Sequence, residues 1–143
     1  MNKVVLITGA AKGLGFEAAK QLGKLGLTVV VATRTREKSD ETAARLKTMG
    51  IDAYGVTLDV NKHDDINGLV KFIEEKFGKL DVLINNAGAY FNRRQRMSCG
   101  VEKTFLVNHL APSCLPIFCL IICKAMPASS MFHPMPINTD NSI

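Results

Sequence analysis

The run Thr8-Gly9-Ala10-Ala11-Lys12-Gly13-Leu14-Gly15 places three glycines within seven residues, directly after a β-branched apolar stretch and just before a helical pattern. That position gives the glycines chemical meaning. A backbone that turns sharply out of a strand presents the N–H groups of the following helix to an anion. Gly9 permits the tight exit from the strand, Gly13 lets the backbone approach a pyrophosphate, and Gly15 allows the helix to pack closely on the strand. Lys12 and Leu14 fall inside the same turn. The spacing predicts a dinucleotide site at this junction, the alternative being an ordinary glycine-rich loop.

A second cue lies at the end of the next apolar run, Ala32-Thr33-Arg34. A site for NAD(H) would carry an acid there to accept from the ribose 2′-hydroxyl, and none is present. Arg34 offers a planar guanidinium fork, and Lys12 a point charge, suited to a 2′-phosphate. NADP(H) is therefore expected in preference to NAD(H). The alternative is that Arg34, Arg36 and Lys38 form a solvated positive loop, and Arg36 and Lys38 are not assigned to the site.

These residues need elements to hold them. Val4 to Thr8 reads as a strand, and the helix after the glycine turn carries Phe16, Ala19, Leu22 and Leu25 on one face. The pattern then repeats: Leu27 to Thr33 as a second strand, a helix ending over Thr42 to Met49, and Ala53 to Leu58 as a third strand. A helix with Ile66, Leu69, Val70, Ile73 and Phe77 on its buried stripe follows, then Leu80 to Ile84 as a fourth strand and a helical stretch over Val101 to Leu110. The strand runs are continuously apolar rather than alternating, as in strands buried on both faces. Together these features predict an α/β fold of the Rossmann type, a doubly wound parallel sheet truncated after about four strands.

Composition narrows the function classes. The 143 residues suit one domain, and the net charge of +5 comes from scattered basic residues rather than a stripe, so no nucleic-acid partner is implied. The first apolar run is too short for a secretion signal or a membrane span, which predicts a cytoplasmic location. All four cysteines (Cys99, Cys114, Cys119, Cys123) lie in the last third, without a second ligand pair, so free thiols are expected and no metal site.

Two more segments stand in order with the glycine turn: Leu58-Asp59-Val60 after the third strand and Asn85-Asn86-Ala87-Gly88 after the fourth. With the Thr8-Gly-x-x-x-Gly-x-Gly15 turn they resemble the short-chain dehydrogenase/reductase family. The resemblance implies that Asp59 hydrogen-bonds the adenine amino group, that Val60 lines the adenine pocket, and that Asn86, Ala87 and Gly88 form the floor beside the nicotinamide ribose. Without the resemblance, Asp59 also reads as a helix cap, and Asn85 to Gly88 as an ordinary turn. Gly100-Val-Glu-Lys-Thr-Phe-Leu-Val-Asn-His-Leu110 resembles the helix that bears the family's active-site asparagine. Asn108 would then help hold a water near the catalytic lysine; the plain reading is an asparagine that caps or kinks its helix locally. The adjacent His109 reads as a packing residue. The segment looks closest to retinol-dehydrogenase-like and carbonyl-reductase-like branches. The activity implied is NADP(H)-dependent hydride transfer between carbonyls and alcohols.

The resemblance covers about the first 112 residues. The family's chemistry requires a serine after the fifth strand and a Tyr-x-x-x-Lys, whose lysine lowers the tyrosine pKa. Here the tyrosines are Tyr54 and Tyr90, and the residues four places on are Leu58 and Arg94. Residues 1–112 therefore read as the N-terminal part of the NAD(P)-binding domain, and residues 113–143 as a non-family tail. Catalysis by this chain alone is not expected. The second reading is a non-catalytic dinucleotide-binding short form or a regulatory remnant.

The tail, rich in cysteine, methionine and proline, fits a frameshift. If one nucleotide was lost at the Pro112 codon, each true codon is the third base of the preceding codon followed by the first two of the present one. The code then forces alanine at position 127, valine at 132 and alanine at 136. With synonymous choices elsewhere the tail becomes PFLLTNLLLDNLQSNARVVNVSSHAHKYG, which resembles the family and supplies a fifth strand, ARVVNV, followed by serines. In the chain as it stands, the fourth strand is expected to be an apolar open edge, which predicts self-association through that edge.

Overall fold

The computed structural model describes residues 2–59, 61–88, 96, 100, 108 and 131–132. Val4-Val5-Leu6-Ile7-Thr8 is buried at every position, so neither face of this strand meets water and it must lie inside a sheet covered on both sides. This is β1 (Val4–Thr8). The same holds for β2 (Thr28–Thr33), whereas β3 (Ala53–Thr57) is half-buried along most of its length and takes the sheet edge. With β4 (Val82–Ile84) and a two-residue β5 (Met131–Phe132), the sheet runs β3-β2-β1-β4-β5, with every pair parallel.

Three helices cover the two faces. Phe16, Ala18, Ala19 and Leu22 of α1 (Gly13–Lys24) and Ala43 and Leu46 of α2 (Arg36–Thr48) pack with Val5, Ile7, Val29 and Val31. Ile66, Leu69 and Ile73 of α3 (His63–Phe77) pack with Val4, Leu6, Val30 and Leu83 on the other side. Alternate residues of the same strands thus feed separate cores, as the period of two requires. This is the doubly wound parallel sheet that the sequence pattern implies. The helical stretch expected over Val101 to Leu110 lies outside the described residues, apart from Asn108.

Two differences from the expected elements have physical causes. The apolar pattern starts the fourth strand at Leu80, but Asp81 meets β1 with its side chain as well as its backbone: its Oδ2 accepts from the Val4 N–H at 2.7 Å, while its own N–H donates to the Val4 carbonyl at 2.9 Å. The ladder proper begins only after this pin, at Val82. The second difference is at the edge. β4 is not left open throughout, because Leu83 pairs with Met131 and Ile84 with Phe132.

Burial alone would raise the Asp81 pKa, but the Val4 N–H bond and the Lys79 ammonium at 3.1 Å outweigh it and hold the carboxyl below its ordinary value. A depressed carboxyl stabilises the fold above its unfolded pKa and loses that contribution as pH falls through the folded value. Asp81→Ala is expected to cost about 2 kcal/mol at neutral pH, since it leaves a buried N–H without its charged acceptor. Urea denaturation should show the gap between the two proteins closing below about pH 4; a gap that is constant with pH would refute this role for Asp81.

Candidate dinucleotide site

The C-terminal ends of β1, β2 and β4 share one side of the sheet, and the glycine turn leaves from the middle of it. Gly9 has φ +65 and still donates from its N–H to the Ala32 carbonyl at 2.9 Å, so the ladder runs to the last residue before the chain turns away. The space around the turn is filled by the segment after β4. A Cβ at Gly9 would lie 2.8 Å from Ala87 Cα, and one at Gly15 would lie 2.8 Å from the Gly9 carbonyl and press on Asn86 Nδ2. Gly15 therefore admits the start of α1 against the glycine turn and Asn86, rather than against β1 along its length.

Hydrogen bonds lock the same two segments. Thr8 Oγ1 accepts from the Asn86 N–H at 3.1 Å and the Ala87 N–H at 3.0 Å, and donates to the Ile84 carbonyl at 3.5 Å. Asn86 Nδ2 donates to the Gly9 carbonyl at 3.1 Å. Asn86 and Ala87, expected as part of a floor, are thus built into the glycine turn itself. Gly88 follows in an exposed position, and a Cβ there would lie 3.4 Å from Asn108 Oδ1, so the structure brings Asn108 to the end of the same segment.

The helix start is open. Its N-cap, Lys12, makes no side-chain cap bond, and the first turn of α1 holds no acid, whereas α2 carries Glu37 and α3 carries Asp64 and Asp65 in theirs. A Cβ on Gly13, at φ +62, would meet nothing within 4 Å, and Leu14 beside it is 73% exposed. The exposed start of the helix at Gly13 and Leu14 thus carries orphan N–H groups and the positive end of the helix dipole, a donor set suited to a pyrophosphate. Arg34 stands exposed just past β2, and neither it nor Lys12 has an ion pair among the described residues. The exposed glycine turn and the acid-free helix start fit the pyrophosphate of a dinucleotide. The alternative of a positive loop over Arg34, Arg36 and Lys38 does not hold for the last two: they belong to the first turn of α2, where Arg36 Nε bonds Asp40 Oδ2 at 3.0 Å.

Asp59 is only half-buried, and its Oδ1 accepts from Asn61 N at 3.0 Å and Nδ2 at 3.1 Å. It is not the N-cap of α3, which is Lys62. Asp65 in the first turn of that helix reaches back to the Asp59 N–H at 2.8 Å and fixes its position. Val60 lies outside the described residues. Sequence reasoning assigns no role to Asp65 or to the Thr8 hydroxyl. An acid in the first turn of a helix is the available signal for the one, and a hydroxyl at the strand end before the glycines for the other. A cavity of about 330 Å³ between α2, β3 and α3, lined by Asp40, Lys47, Tyr54 and Phe72 among others, contains none of the expected site residues. Among the described residues, no helix is long and apolar enough to cross a membrane.

The comparisons agree with this arrangement. The family model for short chain dehydrogenase matches residues 3–114. An uncharacterised oxidoreductase of Thermotoga maritima is 40% identical over 113 residues, 78% of this chain and 44% of that protein. The peroxisomal 2,4-dienoyl-CoA reductase of Arabidopsis thaliana is 38% identical over 90 residues, 63% of this chain and 30% of that protein. Among solved structures, a variant of actinorhodin polyketide ketoreductase crystallised with NADPH superposes with a TM-score of 0.72 at 32% identity, covering 85% of this chain and 47% of that one. The chain spans less than half the length of these relatives.

Replacing Thr8 by Val keeps the β-branched shape and removes the hydroxyl, leaving the Ala87 N–H without its acceptor. A loss of about 1–3 kcal/mol is expected in chemical denaturation, with most of it recovered in Thr8→Ser. Equal losses in the two variants would show that packing, not the hydroxyl, holds the turns together.

Proposed function

We propose, from the premise that this chain belongs to the short-chain dehydrogenase family, that residues 1–112 bind NADP(H) in preference to NAD(H) as the dinucleotide-binding portion of an oxidoreductase of carbonyls and alcohols. The observation that carries the reading is the acid-free start of α1, with Lys12 at its N-cap and Arg34 just past β2, two cations that have no ion pair among the described residues. The NADPH held by the ketoreductase that superposes on this chain supports it.

In this reading the N–H groups from Gly13 onward bind the pyrophosphate, and Arg34 with Lys12 binds the 2′-phosphate as a bidentate fork and a point charge. Asp59 offers its second carboxylate oxygen to the adenine amino group, with Val60 beside it. Asn86, Ala87 and Gly88 support the nicotinamide ribose, and Asn108 stands where a water can be held. The bound nicotinamide would supply or accept the hydride.

Turnover is a separate matter. No Tyr-x-x-x-Lys occurs in the 143 residues, so the group that would exchange a proton with the substrate oxygen is missing from them. Positioned general acid catalysis contributes about 10²–10⁴-fold, and this chain is proposed to bind cofactor without useful turnover.

Titration of the chain with NADPH and NADH, followed by cofactor fluorescence, tests the proposal. NADPH should bind more tightly, and Arg34→Ala should weaken NADPH by about 10-fold or more, the worth of a charge-assisted pair, while leaving NADH within about twofold. Equal affinities for the two cofactors would remove Arg34 from the site. Reduction of a carbonyl panel at rates typical of enzymes, about 1–10³ s⁻¹, would overturn the non-catalytic reading.

A further inference from the structure

Asn85 follows β4 directly with 6% exposure, and its buried side-chain oxygen Oδ1 has no hydrogen-bond partner among the described residues. Among the described residues, it is the buried side-chain atom in this state. A carbonyl buried without a donor loses its hydration and gains nothing in return, so a donor is expected to be brought to it. The neighbouring donors are already committed: Asn86 N–H and Ala87 N–H go to Thr8, and Asn86 Nδ2 to Gly9.

The sheet indicates where a donor would come from. β5 pairs with β4 through Leu83↔Met131 and Ile84↔Phe132. A fifth strand that keeps this register and runs one residue further sets position 133 beside Asn85, with the two side chains on the same face of the sheet. In this chain the residues from 127 to 132 are Pro127, Ala128, Ser129, Ser130, Met131 and Phe132, poor material for a central strand. The family match stops at residue 114, two residues beyond Pro112.

We propose that the residues after Pro112 are read one nucleotide out of frame, and that the true frame places at position 133 a serine whose hydroxyl donates to Asn85 Oδ1. The pair would lock the fifth strand to the segment that carries Asn86, Ala87 and Gly88. The functional meaning of the lock rests on the dinucleotide reading given above, but the frame itself does not.

The genetic code leaves little freedom at this spot. Position 132 becomes valine, because ATG for Met131 gives its G to the TT of Phe132. Position 133 takes the third base of Phe132, T or C, followed by the CA of His133. It is therefore TCA, serine, or CCA, proline. Serine supplies the missing donor and proline supplies none. Position 127 is forced from proline to alanine, and residues 127 to 132 can read A-R-V-V-N-V, rich in the β-branched residues that a central strand prefers.

The frame stays open only with particular bases. Cys123 must be TGC, since TGT would create TAA. Ile137 must not be ATT, Thr139 must not be ACT, and Asp140 must be GAC, each for the same reason.

Sequencing the coding DNA from the Asn108 codon past the stop tests the frame directly. The expected result is TCN at Ser113, TTT at Phe132, no stop at the four positions above, and an open frame beyond residue 143. TTC at Phe132, AGC or AGT at Ser113, or any of the four stops would overturn the proposal.

Protein measurements test the pair. In the present chain, Asn85→Leu removes an orphaned acceptor and should leave the unfolding midpoint unchanged or raised. A fall would show that Asn85 already has a donor, and would overturn the pair. In the frame-corrected chain, Asn85→Leu and alanine at position 133 should each lower the midpoint, and together no more than either alone, with threonine at 133 restoring it. Additive losses, or no rescue by threonine, would also overturn it. Failure of the present chain to bind NADPH would count against the cofactor reading and leave the codon test standing.

Discussion

The approach of two turns across the C-terminal side of the sheet is the constraint on which the site depends. Gly9 and Gly15 have no Cβ where Ala87 and Asn86 press against them, and the Thr8 hydroxyl accepts from both backbone N–H groups that arrive. The strand order makes this contact possible, because β1 lies between β2 and β4 and all three run the same way. From β1 the chain leaves toward the face covered by α1 and α2, while α3 packs on the other. A crevice outside the carboxyl ends of parallel strands is where such sheets bind ligands. Here the crevice is narrowed from one side by the glycine turn and from the other by Asn86 to Gly88.

The helices around it are unequal in a way that gives the site its charge. α2 and α3 neutralise their own positive ends with Glu37, Asp64 and Asp65, and Asp65 is further engaged with the Asp59 N–H. α1 has no such residue; its lysine N-cap without a side-chain cap bond is shared with α3, so the missing acid is the difference. An uncapped helix start is unfavourable in isolation, since its orphan donors gain only water. An anion at the start of α1 would do there what the acids of the first turn do in α2 and α3. Arg34 adds to the same field from the next strand, while Arg36, two residues later, is held by Asp40.

Much of the fold is legible in the sequence because β1 and β2 are buried on both faces and read as unbroken apolar runs, the mark of a covered parallel sheet. The boundaries that shift do so where a side chain replaces a backbone bond, as Asp81 does at the start of β4. The site is legible where glycine, a residue chosen for the space it leaves, marks a close approach. It is less legible where a common residue acts through geometry. A threonine at a strand end and an aspartate in a first helical turn occur in many sequences, and nothing in their types announces that Thr8 joins two turns or that Asp65 fixes Asp59. Arg36 and Lys38 read as loop because the first turn of α2 is polar throughout, so hydrophobic period cannot locate its start.

The described core also separates the binding part of the molecule from the chain beyond Gly88. Both apolar clusters are assembled from residues between Val4 and Ile84, and the contacts that shape the dinucleotide crevice lie between Thr8 and Gly88. The later residues touch this framework at two described places, Asn108 near Gly88 and β5 beside β4. The orphaned oxygen of Asn85 sits at the end of β4, one residue past the last β5 pairing. An unsatisfied polar atom inside an otherwise satisfied core is most simply read as one side of a contact whose other side is absent. It sits at the seam between β4 and the later residues and not within either apolar cluster, so the apolar packing of the sheet does not depend on it.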